Sequence, residues 1–144
     1  MSDSKPLVGF FDGNSSVDTF RSVAGKKILS LELVVDAERT YANDPTSYLQ
    51  FELEGGAKIR MCDLGQECCE ERYITTDDKL SDFIGSHLIS AEVRDAPDIK
   101  NEAGGVHEVR FLIVTTSLGA FTCETHNVHS GYYSGFELAV IPVD

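Results

Sequence analysis

Eight residues, Gly25-Lys-Lys-Ile-Leu-Ser-Leu-Glu32, return at an offset of 60 as Gly85-Ser-His-Leu-Ile-Ser-Ala-Glu92. Each copy follows a short stretch that ends on its glycine, and each opens a run in which apolar and polar positions alternate, as in Leu29, Leu31, Leu33 and Val35. Phe51 falls on Phe111 at the same offset, Gly56 on Gly119 at 63, and Cys68-Cys69 on Tyr132-Tyr133 at 64, the drift being that of small insertions. Self-similarity over such a period means one supersecondary unit used twice. Neither unit can bury its apolar strand face alone, so the two must share a core.

The pattern predicts a short helix over Val17–Ala24, with Ser15 or Ser16 as N-cap and Gly25 as the stop. Strands follow at Lys26–Asp36, Ser47–Glu54 and Ala57–Cys62, the last two joined by a tight turn at Gly55-Gly56. Cys68–Thr75 closes the unit as a strand. The order then restarts with a helix over Asp77–Ile84 and strands at Ser86–Asp95, His107–Thr116, Ala120–Asn127 and Tyr132–Val143. Polar loops lie at Ala37–Thr46, Asp63–Glu67, Ala96–Gly105 and Val128–Gly131. The expected fold is therefore α+β: mostly antiparallel sheet with two short helices, in tandem helix–four-strand pseudo-repeats at about 17–75 and 77–143. With 144 residues the chain fits a single domain over 1–144, residues 1–6 reading as a loose tail.

Charge narrows the partners. Twenty-four acidic against twelve basic side chains leave a formal charge of −12. So acidic a chain does not clamp a nucleic-acid backbone, which needs clustered Lys and Arg. No apolar run approaches the roughly 20 residues of a membrane span, and no export signal stands at the start, so a cytoplasmic protein is expected. Surplus acid suits solubility, a basic protein partner or imitation of a nucleic acid's charge. The stretch Asp63–Asp82 concentrates it, broken by Arg72 and Lys79.

Two segments carry the chemistry-bearing side chains, and the repeat places them at equivalent positions. One is Cys62-Asp-Leu-Gly-Gln66-Glu-Cys68-Cys69-Glu70-Glu71; the other is His126-Asn127-Val-His129-Ser-Gly131-Tyr132-Tyr133-Ser134-Gly135. Both leave a hairpin's return strand, and loops on a rigid sheet are favoured binding places. Gln66, Cys68, Cys69, Glu70, His126, Asn127, His129, Tyr132 and Tyr133 are the candidate ligand-binding residues. An outward tyrosine beside His129 and Asn127 offers a stacking face for a planar, nucleotide-like ligand. Cys62, Cys68, Cys69, His126 and His129 are acceptable zinc ligands by type, but Cys-x5-Cys-Cys is not a structural-zinc spacing and strand neighbours point to opposite faces. A thiolate pairing Cys68 or Cys69 with His126 or His129 meets acidic surroundings that would raise the thiol's pKa. No nucleotide-binding loop, metalloprotease helix or nucleophile elbow occurs.

Gln66-Glu67-Cys68-Cys69-Glu70, Ile84-Gly85-Ser86 and Gly131-Tyr132-Tyr133-Ser134 together resemble a family of small phage and prophage proteins known only as a domain of unknown function. In that family an Asn often precedes the Gly-Tyr-Tyr; here Ser130 stands there, with Asn127 three residues earlier. The resemblance spans roughly residues 55–140 and implies a phage origin but no activity. The expectation is a phage-derived, non-enzymatic binding protein that sequesters a small ligand or occludes a host defence protein, without a cofactor. The alternatives are a small metal- or Cys/His-dependent hydrolase, an acidic nucleic-acid mimic, and a structural oligomer such as a homodimer built on an exposed strand edge.

Overall fold

A computed structural model describes residues 6–10, 14–35, 45–66, 70–100, 105–131 and 135–143. Their order is β1 (Leu7–Val8), α1 (Asn14–Val23), β2 (Ile28–Val34), β3 (Tyr48–Leu53), β4 (Lys58–Asp63), β5 (Glu71–Thr76), β6 (Leu88–Asp95), β7 (Ile99–Lys100), β8 (Val106–Thr116), β9 (Gly119–His129) and β10 (Leu138–Pro142). Strand accounts for 57% of the structure and helix for 14%. The fold is thus mainly β, which corrects the expected α+β class with two helices.

The second helix fails for a visible reason. Between Thr76 and Gly85 only Leu80–Phe83 coils, as one 3-10 turn. Its bonds run from Asp82, Ile84 and Ser86 back to the carbonyls of Lys79, Ser81 and Phe83. The carboxylate of Asp78 accepts the Thr122 amide of β9 at 2.7 Å, so the segment is tied to the sheet before a second turn can form. The helix that does form starts earlier than expected, so Ser16 lies inside it rather than capping it. Ser16 is buried, and its hydroxyl accepts the Val140 amide of β10 at 3.1 Å. Directly after the expected tail of residues 1–6, β1 pairs in parallel with β6 through Leu7 and Val8.

Two sheets make the body. One has the order β1-β6-β8-β9-β5, with β7 also on β8; the other has the order β10-β4-β3-β2. Both are built around an antiparallel three-strand meander, β6-β8-β9 and β2-β3-β4, and the pairing scheme is the same in each. Leu31 stands opposite Phe51 as Ala91 stands opposite Val114, so Val114 occupies the place of Phe51, while Phe111 faces outward beside Glu124. Register shifts fall between Ile28 and Ser30 and between Leu88 and Ser90. Where the meanders begin they bond reciprocally: Gly25 N–H to Leu88 O at 2.6 Å and Gly85 N–H to Ile28 O at 2.8 Å, Ile28 N–H to Ser86 O and Leu88 N–H to Lys26 O. Each sheet's remaining long strand comes from the other half of the chain. β5 follows the first meander yet pairs with β9, and β10 follows the second yet pairs with β4. The helix–four-strand units are therefore not self-contained.

Between the sheets lie Leu31, Leu49, Phe51, Ile59 and Met61 from one side and Ala91, Leu112, Val114, Phe121 and Cys123 from the other, closed by Phe20 and Val23 of α1. None of these exceeds 5% exposure. Among the described residues no helix is long and apolar enough to cross a membrane.

Candidate functional site

β8 and β9 run eleven residues each, and β10 only five. The inner face of the larger sheet therefore continues past the apolar core, and its side chains turn polar. Alternation puts Arg72 of β5, Asn127 of β9 and Glu108 of β8 on this face at one level, since Arg72 registers with Asn127 and Asn127 with Glu108. His129 lies one step on, along the same face.

Arg72 is the hub. It is 7% exposed, and its Nε and Nη2 donate to the two carboxylate oxygens of Glu70 at 2.8 and 3.0 Å. This fork geometry is specific to arginine. Nη1 donates to Asp63 at the end of β4 (3.0 Å) and to the carbonyl of Gly135 (3.0 Å). Burial works against the guanidinium's charge, but its bond to Glu70 and the carboxylate of Asp63 outweigh it, and the pKa lies above its ordinary value. Asp63 Oδ1 also accepts the amides of Gly65 (2.9 Å) and Glu137 (3.0 Å). One ion pair thus ties the base of the 64–70 loop to the base of the 130–137 loop. Gly65 is fitted to this hub: a Cβ there would stand 2.5 Å from Arg72 Nη1.

The neighbours complete the brace. Gln66 donates from Nε2 to the Glu70 carbonyl (2.7 Å) and accepts the Arg72 amide (3.1 Å). Asn127, wholly buried, donates to the Gly135 carbonyl at 2.9 Å. The Gly131 amide donates to His129 Nδ1 at 2.9 Å, which places the ring proton on Nε2, facing Glu108 Oε1 at 2.7 Å. The same carboxylate oxygen accepts the Gly135 amide at 2.9 Å.

His126 stands apart. On a strand, positions 126 and 129 fall on opposite faces, so the His-x-x-His spacing does not bring these rings to one ion. On the outer face the Tyr73 ring stacks flat on His126, with centroids 4.4 Å apart. His126 Nε2 meets the Thr75 hydroxyl at 2.9 Å and Nδ1 meets His107 Nε2 at 2.9 Å. The imidazole centroids are 5.1 Å apart, as for rings whose nitrogens point straight at each other, which is a hydrogen bond and not two lone pairs converging on a metal. Burial first, then His107, holds the His126 pKa below the usual histidine range.

Gln66, Glu70, Asn127 and His129 are thus brought together, on both loop bases, whereas His126 is excluded from their cluster. Cys68, Cys69, Tyr132 and Tyr133 lie outside the described residues. Cys62 packs in the core beside β10, its thiol pushed up to about 12 by burial and by the charge of Asp63. Cys123 is likewise buried, at about 12. Among the described residues no three His, Cys, Asp or Glu side chains converge as a metal site. Sequence reasoning missed Arg72, Asp63, Glu108, Tyr73, Thr75 and His107. The signal for Arg72 was available, because it shares the inward parity of Ile74.

The chain has no match among curated proteins or among solved structures. Residues 21–138 match the family described as Domain of unknown function (DUF7448), a span that contains both meanders and every residue of the brace. This protein belongs to the DUF7448 family.

Proposed function

We propose that this chain is a non-enzymatic binding protein, phage-derived as its resemblance implies, that engages a basic surface of a host protein. The observation that carries this reading is the use to which the polar side chains of the loop junction are put. Gln66, Glu70, Asn127 and His129 bond to backbone and to the Arg72 and Glu108 side chains, so they are committed to joining the bases of two loops. Loop bases joined in advance lower the ordering cost of association. The two described thiols are buried and protonated, which does not favour nucleophilic chemistry. The solvent-facing charge along the edge strand β5 and the segment after it is mainly acidic: Glu71 at the junction end of the strand, and Asp77, Asp78 and Asp82, with Lys79 among them, past its far end. Such a surface steers a basic partner and weakens with salt.

The test is chemical cross-linking of the tagged chain in a bacterial host, compared with the triple variant Glu71→Lys, Asp77→Lys, Asp82→Lys. A partner that is captured by the natural chain and lost with the variant and at high salt is expected. Capture indifferent to charge reversal, or a bound organic mass in the native mass spectrum, would overturn the reading in favour of small-ligand sequestration.

A further inference from the structure

Among the described residues, the outer face of β5 is fastened at His126. β5 is the edge strand of its sheet, and two of its outward side chains, Tyr73 and Thr75, rest on the His126 ring by stacking and by a hydrogen bond. His126 rests in turn on His107 of β8. We infer that the His107–His126 pair is a proton-operated latch on β5: it accepts one proton and holds, and a second proton parts the rings and loosens the strand.

The geometry supplies the reason. A head-on contact between imidazole nitrogens needs one N–H and one lone pair. The neutral pair has both. With one proton added, one ring donates and the other still accepts. With two, both facing nitrogens carry hydrogen, and two cations stand 2.9 Å apart at their nearest atoms. His126 is 7% exposed, so its ring does not swing into water without leaving Tyr73 and Thr75. The charged and titratable groups around it are few among the described residues. Glu124 of β9 approaches Nε2 at 3.8 Å and favours the first proton. On β5 there are Glu71 and Tyr73, whose phenol is held protonated by burial and by Glu71. Beyond β8, Glu92 and Arg94 of β6 pair with each other at 2.9 Å, and β7 sets the uncharged Ile99 opposite His107.

The lowered affinity of His126 for a proton points the same way: the unfolded chain takes it up more readily. Stability is then full above about pH 6.5, the ordinary histidine value, and falls as the pH drops from there toward the folded value. The inner face of β5 carries Arg72, so loosening the strand also loosens the brace beneath both loops. The latch does not depend on what those loops bind.

Hydrogen exchange followed by mass spectrometry on the peptide 70–76, corrected for intrinsic rates, tests it. Between about pH 7.5 and about pH 5 the natural chain is expected to exchange about tenfold faster there, while His107→Gln stays protected. Equal loss of protection in both overturns the latch. Should His107→Gln not fold at neutral pH, imidazole proton resonances of the natural chain decide: two coupled titration steps are expected, and two independent ones overturn it.

Discussion

Arg72 shows how much one buried cation can organise. It joins Glu70 in its own segment, Asp63 at the end of β4 and the Gly135 carbonyl from the other loop. Replacing it with methionine leaves two carboxylates, at 6% and 0% side-chain exposure, without their counter-charge. Removing one partner of a buried pair costs about 3–5 kcal/mol. Arg72→Met should lower the urea midpoint accordingly, whereas Arg72→Lys should recover only part of the loss, since an ammonium has the charge but not the fork. Much of this hub was legible in the sequence. Arg72 alternates with Ile74 and so points inward, and an inward charge on a strand asks for partners. What alternation does not reveal is which carboxylates answer, because Asp63 is joined by the fold and not by spacing. The same parity, applied to His126 and His129, sends the two rings to opposite faces of β9.

Among the elements, edge strands pose the problem of unpaired backbone. β5 meets it with a side chain. The Gln66 carboxamide bonds to the Glu70 carbonyl and the Arg72 amide, imitating the peptide group of a further strand. The Thr46 hydroxyl reaches the Arg72 carbonyl at 3.4 Å. Gln66→Ala should cost about 1–3 kcal/mol, the penalty of leaving buried polar groups unpaired, and should raise amide exchange at Arg72 selectively. Strand positions were the best-read part of the sequence, but among β2, β3, β4, β6 and β8 clean period-two alternation survives only in β3; the shifts at Ile28/Ser30 and Leu88/Ser90 break it in β2 and β6, so Leu29 is exposed although it alternates with Leu31. The second helix misled because Leu80 and Phe83 have helical spacing, yet that spacing serves a single 3-10 turn equally well. β10 begins later than its aromatic start suggested, at Leu138, where pairing with Asp63 begins.

At the scale of the molecule, the repeated segment was visible at once, but the destination of each fourth strand was not. Nothing local in β5 or β10 says which sheet it joins. That exchange, β5 to the second meander and β10 to the first, makes each half of the chain a donor to the other. Consider the chain cut between Asp77 and Asp78. The first fragment has a meander lacking its outer strand and a strand with no sheet; the second has the same deficit in mirror. Each supplies what the other is missing. The fragments should therefore be insoluble when produced singly and co-purify as a one-to-one pair when produced together, with the far-ultraviolet spectrum of the intact chain. A half that folded alone would contradict the exchange. Two cistrons could then encode the protein as well as one, and its assembly would report, like a two-part key, that both halves are present.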